Sequence, residues 1–220
     1  TEDVRVPYRR TISRPVEIEG RLKKQSGGHG QFAVVNMRIS PMPRGAGFEF
    51  VDAIVGGAIP KQYVAAVRHG VEEAMATGGT GGIPIVDVKV ECIDGKTHSV
   101  DSSDMAFKTA AATGFHEAVE QGSRLMLEPI SVLTVRVPID AQGDVLGDLS
   151  SRRGRIVSSV TDGEGEQVIT AEVPTPEIGR YAMDLRAMTA SRGRYSVRQI
   201  GHDVLPEHMV KTVLAEYAEN

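Results

Sequence analysis

The sequence predicts an α+β protein of two domains followed by a closing helix. Three observations lead there. Runs that alternate apolar and polar residues are interleaved with runs at helical spacing. The order of those runs changes near residue 127, and a last apolar stripe at helical spacing follows the final alternating run. At 220 residues, 40% hydrophobic and 25% charged, the chain is long enough to bury a real core.

Residues 1–126 form the first predicted domain. Val16–Leu22 alternates apolar and polar, as a half-buried strand does. Gln31–Ile39 is also strand-like, so Ser26–Gly30 becomes the turn of a hairpin. Pro60–Thr77 sets Tyr63, Val64, Val67, Val71, Ala74 and Met75 at three-and-four spacing, a helix that Gly78 and Gly79 end. Ile85–Ile93 alternates again, with Val86, Val88, Val90 and Cys92 on one face. Ser102–Glu120 is an alanine-rich second helix, opened by Asp101 or Ser102 as cap.

Residues 127–203 form the second. The pieces are a strand over Ile130–Val137, a helix over Gly143–Arg152, strands over Ile156–Val160 and Gln167–Val173, a helix over Pro176–Ala190 and a strand over Tyr195–Ile200. That order, βαββαβ, is the ferredoxin-like arrangement, an antiparallel sheet covered on one face. In residues 204–220, a helix over Pro206–Tyr217 carries Met209, Val210, Val213, Leu214 and Tyr217 as an apolar stripe that needs a surface to pack on.

The formal net charge of −4 lacks the overall basic footprint of proteins that hold nucleic acid by counterion release. Basic residues cluster instead: Arg5, Arg9, Arg10 and Arg14; Arg21, Lys23 and Lys24; Arg152, Arg153 and Arg155; and Arg186, Arg192, Arg194 and Arg198. Each cluster is either a solvated face or a patch for transient contact with RNA. A single cysteine excludes an internal disulfide, no run reaches the length of a membrane span, and the first residues show no apolar signal core. The cytoplasm is the expected compartment.

Two glycine-bearing loops stand out, Gln25–Phe32 (Q-S-G-G-H-G-Q-F) and Gly95–Asp101 (G-K-T-H-S-V-D). Glycine permits positive φ and close approach of backbone to a ligand. Gly28–Ala33 has the spacing of a dinucleotide fingerprint, yet a strand follows it where the helix holding a pyrophosphate should begin. No phosphate-binding G-x-x-x-x-G-K-[ST] run occurs. The six histidines and Cys92 show no zinc spacing, and no nucleophile elbow selects a catalytic triad. Cys92, on the apolar face of its strand, reads as a core thiol.

The loops belong to a longer series of motifs. These are Gly47–Gly57 (G-F-E-F-V-D-A-I-V-G-G), Ile59–Lys61, Val100–Lys108 (V-D-S-S-D-M-A-F-K), Leu127–Ile130 (L-E-P-I), Gly143–Gly154 (G-D-V-L-G-D-L-S-S-R-R-G) and Gly179–Arg186 (G-R-Y-A-M-D-L-R). In this order, over nearly the whole chain, they resemble the last two domains, IV and V, of bacterial translation elongation factor G, with the look of an elongation factor G-like paralogue. The resemblance implies a first domain like domain 2 of ribosomal protein S5, a ferredoxin-like second domain, and a C-terminal helix packing back on the first.

The resemblance also implies partners and contacts. Ser26, Gly27, Gly28, His29, Gly30 and Gln31 of the first loop, with Lys96, Thr97, His98 and Ser99 of the second, would touch A/P-site tRNA and mRNA in the small-subunit decoding centre of the ribosome. Imidazole can stack on a base or donate to a phosphate or 2′-hydroxyl. Arg152, Arg153 and Arg155 would lie near large-subunit RNA at the factor-binding site. At His29 most members of the family carry arginine; histidine replaces a permanent bidentate cation by one donor and one acceptor, so contact there should be weaker or more pH-sensitive. No catalytic site, cofactor or metal is expected in this chain, which is expected to be a monomer without membrane contact. GTP and Mg are expected in an N-terminal domain of a parent GTPase. The implied function is an arm that promotes tRNA–mRNA translocation. Two alternatives remain open: a ribosome protection or rescue factor using the same arm, and a small-molecule kinase of related topology, which would have to bind ATP by itself.

Overall fold

The computed structural model of the chain describes residues 6–25, 28, 30–79, 81–122 and 124–219. They fall into two compact units, one made of residues 8–127 with 204–219, the other of residues 128–203 with Val6 and Pro7.

The first unit is built on a four-stranded sheet ordered β2-β3-β5-β4, from β2 (Val16–Lys24), β3 (Gln31–Pro41), β4 (Phe48–Asp52) and β5 (Val88–Lys96). β2, β3 and β5 run antiparallel in turn, whereas β4 joins β5 in parallel. Such a parallel step needs a crossover, and helix α1 (Lys61–Thr77) supplies it. Helix α2 (Asp104–Gln121) buries Ala106, Phe107, Ala110, Ala111, Phe115 and Ala118. Those residues lie on more than one side of the helix, which suits a position between α1 and the sheet. Two glycines let the layers close. A Cβ on Gly20 of β2 would stand 2.3 Å from Ala110 O, and one on Gly70 of α1 would stand 2.3 Å from Lys108 O. Tyr63 and Phe107 stack across α1 and α2 with ring centroids 4.8 Å apart. Gly78 ends α1 at φ 70°, a left-handed cap that suits glycine.

Two strands here escape the alternation rule. β1 (Arg9–Ile12) is only four residues long, and its arginines read as a basic cluster; it pairs antiparallel with the opening residues Arg124–Leu127 of β6 (Arg124–Pro138). β4 is short and half-exposed. The strand expected from Ile85 starts three residues later. Asp87 has φ 59°, and its buried carboxylate accepts from Gly47 N at 2.9 Å and from Arg44 at 3.2 Å, a local turn that a ladder cannot contain. The helix cap is also corrected: Ser103, not Asp101 or Ser102, accepts from Ala106 N at 3.1 Å. The closing helix α5 (Glu207–Glu219) belongs to this unit, with Leu205 N donating to Met126 O at 2.9 Å and Val213 buried.

The second unit is βαββαβ: β6, α3 (Gln142–Ser151), β7 (Arg155–Thr161), β8 (Glu166–Pro174), α4 (Tyr181–Met188) and β9 (Arg194–Val204). Its sheet runs β7-β8-β6, with β9 also pairing β6, which is the ferredoxin-like order. Leu133, Val135, Val137, Ile169, Ala171 and Val173 face Val145, Leu149, Tyr181 and Leu185 of the helices. The single helix expected over Pro176–Ala190 is two pieces, a 3-10 turn over Thr175–Ile178 and then α4. Thr189 closes α4: its Oγ1 donates to Leu185 O at 2.7 Å and accepts from Gly193 N at 2.9 Å. No helix among the described residues is long and apolar enough to cross a membrane.

Candidate nucleic-acid interface

Strand register brings the two loops together. β2 and β3 pair from Val16 with Ile39 to Lys24 with Gln31, so their turn lies at the end where β3 begins. β5 reaches that same end, since Lys96 stands beside Val34. The loop after β5 then continues the pairing without being a strand. Phe32 N donates to Asp101 O at 2.9 Å, and Ser102 Oγ donates to Phe32 O at 2.7 Å. Ser102 Oγ also accepts from His98 N at 2.9 Å, and Tyr63 of α1 donates to Ser102 O at 3.2 Å. The two loops touch directly: a Cβ on Gly30 would stand 2.8 Å from the Asp101 carboxylate.

His98 is held by its own loop. Its Nδ1 accepts from Val100 N at 3.3 Å and from Asp101 N at 3.1 Å. The Asp101 carboxylate lies 3.4 Å from the same nitrogen, farther than either N–H, so the two backbone donors assign Nδ1 as acceptor and the proton of the neutral ring to Nε2. About half of the side chain, 51%, is exposed. Phe32 lies close by, its ring centroid 6.1 Å from the imidazole and the planes tilted by 55°. This arrangement presents the imidazole to solvent beside the half-buried ring of Phe32.

The other predicted contacts divide. Gly28, Gln31, Lys96, Thr97 and Ser99 are exposed and Gly30 is half-buried, all on the two loops or their flanks. Ser26, Gly27 and His29 lie outside the described residues. The arginine cluster sits in the other unit and is largely engaged there. Arg152 lies over the Tyr181 ring at 5.1 Å and pairs with Asp148 and Asp184, leaving 14% of its side chain exposed. Arg153 makes two bonds to Glu128, at 2.6 and 2.8 Å, and a third to Glu177 at 3.0 Å. The Glu128 bonds raise its pKa further above the ordinary arginine value. Arg155 is exposed and pairs with Glu172.

Phe32 and Asp101, the closing residues of the two loops, enter the site without having been among the predicted contacts. Phe32 reads in sequence as one more strand residue and Asp101 as a helix cap; only the crossing of the loops gives them a shared face. Cys92 is fully buried in β5, and burial pushes its thiol up to about 12, so it stays protonated and inert. Asp162, Glu164 and Glu166 gather at the β7–β8 turn, where Asp162 accepts from Glu164 N and Glu166 N, each at 3.0 Å, and pairs with Arg136. Glu166 pairs with Arg194. This acidic group braces a turn.

Comparison with known proteins places the whole chain. Residues 4–123 match the family "Elongation factor G, domain IV", and residues 125–213 match "Elongation factor G C-terminus". The chain is 45% identical over 215 residues to an elongation factor G-like protein of Mycobacterium tuberculosis (strain CDC 1551 / Oshkosh), covering 98% of this chain and 30% of that one. The counterpart in a second strain of the same species is equally similar, at 45% over the same length and coverage. A crystal structure of a Thermus thermophilus protein aligns with TM-score 0.88 at 37% identity, covering 99% of this chain and 32% of the other. The chain thus spans about a third of the length of these relatives. With both units matched in order along the chain, this protein belongs to the elongation factor G family, of which it carries the domain IV and C-terminal portions.

Proposed function

We propose that the chain is the ribosome- and tRNA-contacting arm of an elongation factor G-like translational GTPase that promotes tRNA–mRNA translocation. The observation that carries this reading is the loop end of the first unit. Two loops distant in sequence are bonded together there, and they aim an imidazole of defined tautomer outward. A hydrogen-bond donor of that kind suits phosphate, 2′-hydroxyl and base edges. Gln31, Lys96, Thr97 and Ser99 surround it and would contact tRNA and mRNA in the decoding centre. Arg155, the exposed member of its cluster, is the one best placed to reach large-subunit RNA; Arg152 and Arg153 serve the unit's own structure. The power stroke belongs to GTP and Mg bound by a portion of the parent protein outside this chain.

The test is His98→Ala in the complete factor. Translocation should slow while ribosome-stimulated GTP hydrolysis is nearly unchanged, because the loop acts on the tRNA–mRNA complex and not on the nucleotide. Equal loss of both activities would refute that division of labour. A parent factor that protects or rescues ribosomes yet translocates poorly, with or without His98, would replace translocation by the protection reading.

A further inference from the structure

We propose that the cleft between Phe32 and His98 is a slot for one unstacked nucleobase, with guanine preferred. The inference rests on the RNA-facing reading of the loop end and assigns its ligand chemistry. The cleft, of about 220 Å³, is lined by Phe32, His98, Asp101, Gln31 and the lysines 23 and 24. Pockets for drug-sized ligands run from about 300 to 1,000 Å³, so this one suits a single ring system. The tilt of 55° and separation of 6.1 Å mean that Phe32 and His98 do not stack on each other. A base can therefore lie on one ring and meet the edge of the other. Single-stranded RNA is recognised in this way, by stacking unpaired bases on aromatic side chains.

Asp101 supplies the selectivity. Its carboxylate borders the cleft with 20% of the side chain exposed. Its Oδ2 stands 3.4 Å from His98 Nδ1, a nitrogen already accepting from two backbone N–H groups. An ionised carboxylate only accepts. Guanine alone among the four bases presents two adjacent donors on its Watson–Crick edge, N1–H and the N2 amino group. Adenine and cytosine would each turn a ring-nitrogen acceptor toward the carboxylate, and uracil offers one donor between two carbonyls. Lys23 is the cross-strand partner of Phe32 and so lies on the same face of the sheet, where its ammonium can meet the phosphate of the slotted nucleotide.

The test uses this 220-residue chain and three labelled pentanucleotides, r(UUGUU), r(UUAUU) and r(UUUUU), in fluorescence anisotropy at low salt. Their equal charge cancels the phosphate contribution. The G-containing RNA should bind at least about fivefold more tightly than the other two, the discrimination expected of one bidentate contact. Asp101→Ala should level the three, and Phe32→Leu, which keeps apolar packing, should weaken r(UUGUU) at least about fivefold. Equal binding of all three, unmoved by Asp101→Ala, would overturn the slot while leaving the RNA-facing arm intact. Failure of every RNA to bind would also overturn the slot, and the translocation assay on His98→Ala would still decide the function of the arm.

Discussion

Replacing Arg153 by alanine separates two roles for the cluster of Arg152, Arg153 and Arg155, an RNA-facing patch and a structural ion pair. Glu128 is 4% exposed at its side chain and takes both bonds of the Arg153 fork, at 2.6 and 2.8 Å. Removing one partner of a buried pair costs about 3–5 kcal/mol, because the other charge is stranded. Arg153 keeps 28% of its side chain exposed, so water entering the gap screens Glu128; about 2–4 kcal/mol is the expected loss. Backbone strain does not enter that figure, since alanine must hold the same φ of 59°. Glu128→Gln in the Arg153→Ala background removes the stranded charge and should restore about 1–2 kcal/mol. Urea unfolding measures both: the midpoint should fall at constant m, and amide exchange in β6 and β8 should rise first. An Arg153→Ala variant within about 0.5 kcal/mol of the parent, or strictly additive single changes, would refute the ion-pair argument and return Arg153 to the RNA-facing set.

Two further outcomes follow from the first unit. Gly20→Ala should destabilise by about 1–3 kcal/mol or more, since its Cβ would sit 2.3 Å from Ala110 O, and backbone cannot rotate away as a side chain can; a thermal midpoint equal to the parent's would count against the close packing of α2 on β2. Burial lowers the His116 pKa from its ordinary 6.5, with Glu120 opposing. The unfolded chain then takes up that proton first, so the stability His116 contributes is complete above pH 6.5 and is lost as pH falls through the folded value. His116→Asn should flatten the decline of urea midpoints as pH falls below 6.5; an unchanged slope would assign that decline to other groups.

How much was legible varied with the kind of information each element carries. β2 was readable because half-buried and exposed residues alternate along it, β3 because Ala33, Val35, Met37 and Ile39 recur at period two although Val34 between them is buried as well, and α1 because its apolar residues recur on one stripe. β1 and β4 were not: a strand of four or five residues with arginines or acids in it has no period to detect, and its place is set by a partner far along the chain. The helix cap was misplaced by one or two residues because Asp101, Ser102 and Ser103 are all good caps by type. Geometry chose among them: Ser102 bonds to β3 and Asp101 lies against Gly30, leaving Ser103 to the helix.

The same division holds for function. Local sequence alone determined the α+β class, the ferredoxin-like order of the second unit, the glycine-bearing loops and their elongation factor G motifs, because periodicity, turn residues and motif order are properties of neighbouring residues. Only the tertiary structure decided that the two loops share one end of a sheet and that Phe32 and Asp101 join His98 there. It also decided that Arg152 and Arg153 are engaged by carboxylates of their own unit. The reason is physical: a charge or a ring has no fixed role along the chain, and what it can bind depends on which groups the fold has already brought within about 3 or 4 Å of it.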